Sequence, residues 1–332
     1  MHIVIPDDYQ DCVRRLDCFT KLSGHEVTVY HDTVKDVDAL AQRFKEADAL
    51  VLTRERTAIT AALLDRLPRL RLISQTGKVG RHVDLAACTA RGVAVAEGSG
   101  HGGATAELTW ALVLASRRHL VPEVNRLRAG GWQHTLGQQL RGQRLGVWSF
   151  GRIGSQVAHY GRTFGMEVWV WGREGSTAQA RADGFEVAPS RAAFFAESDV
   201  VSLHIRLTPD TTAIVKGEDF ARMKASALFV NTSRAELVEC GALVAALERG
   251  RPGFAAVDVY EDEPVAADYP LLALPNALCT PHLGYVERDN YEAYFGIAFD
   301  NIVAFARGDP TNIVNTEALG RASDGARSGD TA

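Results

Sequence analysis

Short apolar runs alternate along the first hundred residues with stretches whose apolar positions recur every three or four residues. Ile3–Ile5, Val27–Tyr30, Ala49–Leu52 and Leu72–Ser74 have strand length and strand composition. Between them, Tyr9–Leu22, Asp36–Lys45 and Thr60–Leu67 carry helical spacing, with Asp36 and Thr60 placed as N-caps. Asp84–Arg91 predicts a further helix, stopped by Gly92 and leading into a strand at Val93–Ala96. This βα alternation implies a parallel sheet covered on both faces.

A glycine-rich break, Glu97–Gly103, marks a crossing between domains. Beyond it, Ala104–His119 reads as a buried helix and Gly130–Gln143 as a surface loop. A second βα series follows, with strands expected at Arg144–Ser149, Glu167–Trp171, Asp199–His204, Ala227–Asn231, Gly253–Val259 and Ala277–Cys279. Six such strands with intervening helices predict a doubly wound nucleotide-binding domain. A helix over Asn290–Arg307 would return the chain to the first domain, and the tail from Thr316 reads as disordered. The expected fold is therefore α/β with two doubly wound domains. One is a Rossmann dinucleotide-binding domain at 100–284; the other is a smaller, flavodoxin-like substrate domain at 1–99 plus 285–315, with 316–332 as tail.

A length of 332 residues agrees with two cores rather than one. The net charge of −5 is spread along the chain, which excludes a basic nucleic-acid surface and a polybasic membrane anchor. The longest apolar runs, Trp110–Ala115 and Ala225–Val230, are too short to span a bilayer. Met1 runs straight into a strand, so no signal peptide is expected. Cys12, Cys18, Cys88, Cys240 and Cys279 are odd in number and lack metal-type spacing. The expectation is a cytoplasmic protein without a disulfide framework or metal.

Chemistry concentrates in the second series. Ser149-Phe150-Gly151-Arg152-Ile153-Gly154 sits between a strand and a helix, where glycines let backbone approach a pyrophosphate and the helix N-terminus favours the anion. Alone, a partial glycine pattern is often an ordinary βα turn; the flanking strands favour a dinucleotide site. The next strand ends in Gly172-Arg173-Glu174, where an NAD site usually places an acid against the ribose. Gly172 cannot serve, and Arg173 is either an exposed loop residue or a partner for a 2′-phosphate; Glu174 remains as a ribose acceptor. Further on, Arg234, Glu263 and His282 each follow a predicted strand. A planar cation can hold a carboxylate and polarise a carbonyl, while an imidazole beside a carboxylate moves a proton and is stabilised in its charged form. Singly, each residue would read as an ordinary salt-bridge partner. Their joint arrival at one sheet edge predicts reduction of a 2-keto acid.

These strings, together with Asp258-Val259-Tyr260-Glu261-Asp262-Glu263-Pro264 and Thr280-Pro281-His282-Leu283-Gly284, resemble the D-isomer-specific 2-hydroxyacid dehydrogenases from the first strand to about residue 315. The resemblance implies that Arg234 binds the substrate carboxylate and carbonyl, that His282 is the acid/base, and that Glu263 orients it. It implies that Thr232 and Asp258 contact the nicotinamide half of the cofactor, and the full expected cofactor site adds Gly151, Arg152, Ile153, Gly154, Gly172, Arg173, Glu174, His204, Arg206, Ser233 and Thr105. It places the substrate carboxylate on the loop with Thr76, Gly77, Lys78 and Val79, and a homodimer contact on the helix opened by Gly98–Glu107. The expected substrate is a small 2-keto or D-2-hydroxy acid lying between the domains, and the cofactor NAD or NADP. Ser149 departs from the pattern in place of a glycine, while Gly172 in place of an acid and arginines at 173 and 206 tilt the expectation towards NADP. A dinucleotide-binding sensor with little turnover is the alternative.

Overall fold

The computed structural model describes residues 1–100 and 102–320. The chain divides into two compact units, Met1–His101 with Arg288–Ala332, and Gly102–Glu287.

In the first unit, β1 (His2–Ile5), β2 (Glu26–Val29), β3 (Ala49–Leu52), β4 (Leu72–Gln75) and β5 (Ala94–Ala96) form a parallel sheet in the order β2-β1-β3-β4-β5. Helices α1 (Val37–Phe44), α2 (Ala61–Leu64) and α3 (Leu85–Ala90) begin at side chains that take up an orphan amide of the first turn. Asp36 accepts from Ala39 N–H at 2.9 Å, Thr60 from Leu63 at 3.3 Å and Asp84 from Ala87 at 2.9 Å. The helix expected over Tyr9–Leu22 is instead two short 3₁₀ turns, Val13–Arg15 and Asp17–Leu22. Asp8 breaks it by accepting from the amides of Cys12 and Val13, both at 3.0 Å, and Leu16 between the turns is extended.

The second unit opens with α4 (Gly103–Arg117) and α5 (Leu120–Arg128). Then come β6 (Arg144–Trp148), α6 (Arg152–Thr163), β7 (Glu167–Trp171), α7 (Glu174–Ala182), β8 (Glu186–Val187), α8 (Arg191–Glu197) and β9 (Val200–Leu203). The series ends with α9 (Gly217–Arg222), β10 (Leu228–Asn231), α10 (Ala242–Glu248), β11 (Phe254–Val257) and β12 (Ala277–Cys279). All seven strands are parallel, in the order β12-β11-β10-β9-β6-β7-β8. One strand more than expected is present, because the two residues of β8 are too few to show a pattern. Side chains alternate between two cores: Leu145, Val147, Val170 and Val230 face α4 and α6, while Trp148, Leu203 and Phe229 face the other way.

Helix α11 (Arg288–Ala306) belongs to the first unit, where Glu292 accepts from the amides of Asp17 and Cys18 at 2.7 and 3.0 Å. The tail is not featureless from Thr316, since Ala318 is fully buried; residues 321–332 lie outside the described residues.

Candidate active site

The chain leaves β6 for β7 and β8 on one side, then returns to the other side for β9, so the strand order reverses between β6 and β9. Ligands of open parallel sheets bind at the carboxyl ends of strands around such a reversal. Register places Trp171, Trp148, Leu203, Asn231, Val257 and Cys279 side by side across six strands. The residues that follow each, Gly172, Ser149, His204, Thr232, Asp258 and Thr280, therefore emerge together at one edge.

At the β6–α6 turn, Ser149 takes φ +81° and Gly151 caps α6. A β-carbon on Gly154 would collide with the Ser149 carbonyl oxygen, so glycine alone lets α6 pack this closely on the turn. A β-carbon on Gly151 would meet nothing within 4 Å, which leaves the front of the turn open to a ligand. The first amides of α6, from Arg152 and Ile153 on, have no acceptor within the helix and suit an anion. This turn fits a dinucleotide pyrophosphate. After β7, Arg173 caps α7 and is exposed, and Glu174 lies 3.8 Å from Arg181 along its own helix. Arg206 is likewise exposed, and neither its guanidinium nor that of Arg173 has a hydrogen-bond or ion-pair partner among the described residues.

After β10, the Asn231 side chain buckles the chain. Its amide donates to the Arg234 carbonyl at 2.8 Å and its oxygen accepts from Ser233 N–H at 3.0 Å. Arg234 is presented, half-buried, by extended backbone, with Nη1 donating to the Ser233 carbonyl at 2.7 Å. After β11, Glu263 Oε1 accepts from Tyr260 N–H at 3.1 Å, which turns Oε2 towards His282 Nδ1 at 2.7 Å. A carboxylate only accepts, so Nδ1 carries the proton and Nε2 is the nitrogen left for a reacting group. About four-fifths of each side chain is out of water (18 and 20% exposed), so solvent screens the pair less than at a surface. The Tyr285 ring meets the imidazole edge-on at 5.4 Å.

His282 sits at φ +52°, and Asp258 holds its loop there. Asp258 is fully buried; its Oδ1 accepts from Thr280 Oγ1 at 2.6 Å and Leu283 N–H at 2.7 Å, and its Oδ2 from Gly284 N–H at 2.8 Å. Burial raises its pKa above the ordinary value despite those bonds. Several expected cofactor contacts also have their polar atoms engaged inside the protein. Thr105 donates to the Gly284 carbonyl at 2.7 Å, Thr232 shares a 2.7 Å hydroxyl bond with Thr109, and Ser233 donates to the Leu203 carbonyl at 2.7 Å. His204 Nε2 bonds Ser202 Oγ at 2.9 Å, and burial lowers its pKa to about 3. Residues that motif reading passed over brace the same loop: Tyr260 Oη donates to the Thr280 carbonyl at 2.9 Å. Only the presence of Tyr260 and Thr280 inside the recognised strings pointed to them.

In the first unit, the loop after β4 is anchored rather than open at three of its four expected positions, Thr76, Lys78 and Val79. Thr76 is buried, its hydroxyl donating to the Leu52 carbonyl at 2.7 Å. Glu97 pairs with Lys78 Nζ and accepts from Val79 N–H at 3.2 Å. Gly77 takes φ +96°, and a β-carbon there would strike Arg54 Nη1.

Such a sheet edge, with an anion-fitting turn at its reversal and both a carboxylate-held imidazole and an arginine after its strands, is built for enzymes that move a hydride between a nicotinamide and a 2-hydroxy acid. Residues 110–284 match the D-isomer specific 2-hydroxyacid dehydrogenase, NAD binding domain. A glyoxylate reductase from Aeropyrum pernix is 36% identical over 85% of this chain and 87% of its own length. A crystal structure of a phosphoglycerate oxidoreductase from Vibrio cholerae is 51% identical with a TM-score of 0.91, covering 93% of this chain and 99% of that one. An oxidoreductase structure from Ralstonia solanacearum is 53% identical with a TM-score of 0.93, covering 96% and 98%. The chain belongs to the D-isomer-specific 2-hydroxyacid dehydrogenase family and is a nicotinamide-dependent oxidoreductase acting on the CH–OH group of its donor. The sensor reading finds no support among its relatives.

Proposed function

We propose that this chain reduces a small 2-keto acid of the glyoxylate or hydroxypyruvate type to its D-2-hydroxy acid, with NADPH as preferred donor. The observation that carries the reading is the Glu263–His282 pair, 2.7 Å apart, with the histidine on a loop tied down by Asp258. The β6–α6 turn would hold the pyrophosphate of a nicotinamide dinucleotide, which when bound in its reduced form would supply the hydride. Arg234 holds the substrate carboxylate and polarises the keto oxygen, an interaction that strengthens as charge develops there. His282 donates the proton from Nε2 to that oxygen, and Glu263 keeps the ring oriented and its charged form paired. The carbonyl carbon takes the hydride and the oxygen the proton, which completes the alcohol.

The substrate class rests on relatives named glyoxylate reductase and, at 33% identity in Escherichia coli, glyoxylate/hydroxypyruvate reductase B. A phosphate-bearing 2-keto acid is the second reading. The 51% identical phosphoglycerate oxidoreductase favours it. NADPH is favoured by Gly172 and by the exposed Arg173 and Arg206, each able to pair with a 2′-phosphate. A homodimer through the larger unit is favoured by α5, which buries none of its residues, and by Trp132 and Leu136 at 71 and 93% exposure. Five free cysteines favour the cytoplasm, and no helix among the described residues is long and apolar enough to cross a membrane.

Cofactor oxidation followed at 340 nm with a panel of keto acids and both donors tests these points. The expected result is kcat/KM highest for glyoxylate or hydroxypyruvate and roughly ten- to a hundred-fold higher with NADPH, from one well-aligned phosphate contact. Highest turnover on a phosphorylated keto acid would establish the second reading, and equal or better use of NADH would remove the phosphate contact. Arg234→Lys should raise KM and lower kcat together, because the planar fork is lost while the charge stays.

A further inference from the structure

The β6–α6 turn departs from the usual glycine pattern at Ser149, and the β7–α7 junction departs from it at Gly172. One side chain touches both departures. Ser149 adopts a left-handed conformation, φ +81°, and its amide donates to the Trp171 carbonyl at 2.7 Å, tying the turn to the end of β7. The next amide, Phe150 N–H, donates to the hydroxyl oxygen of Ser176. Ser176 lies in the first turn of α7, where its own amide donates to the Arg173 carbonyl at 2.9 Å. Phe150 is itself buried, its ring 5.3 Å from that of Phe185, so its amide depends on a protein acceptor. A β-carbon at position 172 would stand 3.3 Å from Ser176 Oγ and 3.5 Å from Ser149 Cα. The serine hydroxyl thus occupies the ground over which a side chain at 172 would rise.

We propose that Ser176 is the positioning residue of the cofactor turn, and that the place its hydroxyl takes to hold Phe150 N–H disfavours a side chain at position 172. The missing acid after β7 then follows from how the turn is braced. An aspartate at 172 would bring its β-carbon to 3.3 Å from Ser176 Oγ, so the hydroxyl that accepts from Phe150 N–H would have to give by a few tenths of an ångström, which loosens the turn that receives the pyrophosphate. Substitutions at 172 and 176 are therefore coupled, and cofactor choice cannot be changed at 172 alone. The inference rests on residues 149–154 being the dinucleotide turn.

The test is a four-member cycle of the full-length protein: wild type, Ser176→Ala, Gly172→Asp, and the double variant. Dissociation constants for NADH and NADPH are read by fluorescence titration, with steady-state kinetics beside them. Ser176→Ala should weaken both cofactors by about five- to thirty-fold, the effect falling on cofactor KM rather than kcat, because an amide loses its acceptor. Ser176→Thr should restore binding. Gly172→Asp should weaken both cofactors by about ten-fold or more, and the double variant should bind NADH more tightly than Gly172→Asp does. Multiplicative effects, or wild-type affinity in Ser176→Ala, would overturn the coupling while leaving the dinucleotide site in place. Failure of the wild type to bind either cofactor would overturn both.

Discussion

Replacing Asp258 by alanine separates two roles that its position at the end of β11 allows, contact with the cofactor and support of the histidine loop. The structure makes the second quantitative. Three donors, Thr280 Oγ1, Leu283 N–H and Gly284 N–H, share the two oxygens of one buried carboxylate at 2.6–2.8 Å. Alanine leaves two backbone amides without an acceptor, at about 1–3 kcal/mol each, while the Thr280 hydroxyl can rotate towards the Val257 carbonyl, 3.5 Å away. Part of the loss is offset, because burial already disfavours the Asp258 charge, as its raised pKa shows. A net destabilisation of about 2–4 kcal/mol is expected, a large share of the ~5–15 kcal/mol by which domains are stable. The loop that relaxes is the one carrying His282, and displacement of a reacting group by about 1 Å costs on the order of a hundred-fold in rate. Urea denaturation should give a lower midpoint for Asp258→Ala, and kcat/KM should fall about a hundred-fold while cofactor Kd changes less than ten-fold. Unaltered stability together with a large loss of cofactor affinity would refute the argument and return Asp258 to a cofactor-binding role.

Two further outcomes are expected. His282→Asn should lower the reduction rate by about two to four orders of magnitude with cofactor affinity nearly intact, measured by single-turnover kinetics; full activity would remove His282 from proton transfer. His82 donates from Nε2 to Gln75 Oε1 at 2.9 Å and leaves Nδ1 buried without a partner; burial lowers its pKa from 6.5 to about 4. The unfolded chain therefore binds the proton first, so this contribution to stability is full above about pH 6.5 and is lost as pH falls to about 4, at most roughly 3 kcal/mol. His82→Gln should flatten the fall in denaturation midpoint between pH 7 and 5, and an unchanged slope would exclude His82 as its source.

Local signals in the amino-acid sequence determined the element order, the caps at Asp36 and Thr60, and the placing of Arg234, Glu263 and His282 just after strands. Those features depend on period, turn chemistry and residues within a few positions of one another, so they are written in short segments. Where the pattern misled, a side chain intervened: Asp8 takes the amides that a helix over Tyr9–Leu22 would have used. Tertiary structure alone decided which polar atoms meet. Strand register sets Asn231, Val257 and Cys279 level, and so brings residues 231, 258, 263 and 282 to one edge from separate segments. It also assigned Asp258 to the histidine loop, Ser176 to the Phe150 amide, and Glu97 to the Lys78 charge. Each of those pairs spans many residues, and the choice among acceptors is made only when close packing brings donor and acceptor within about 3 Å, a distance that composition and periodicity do not encode.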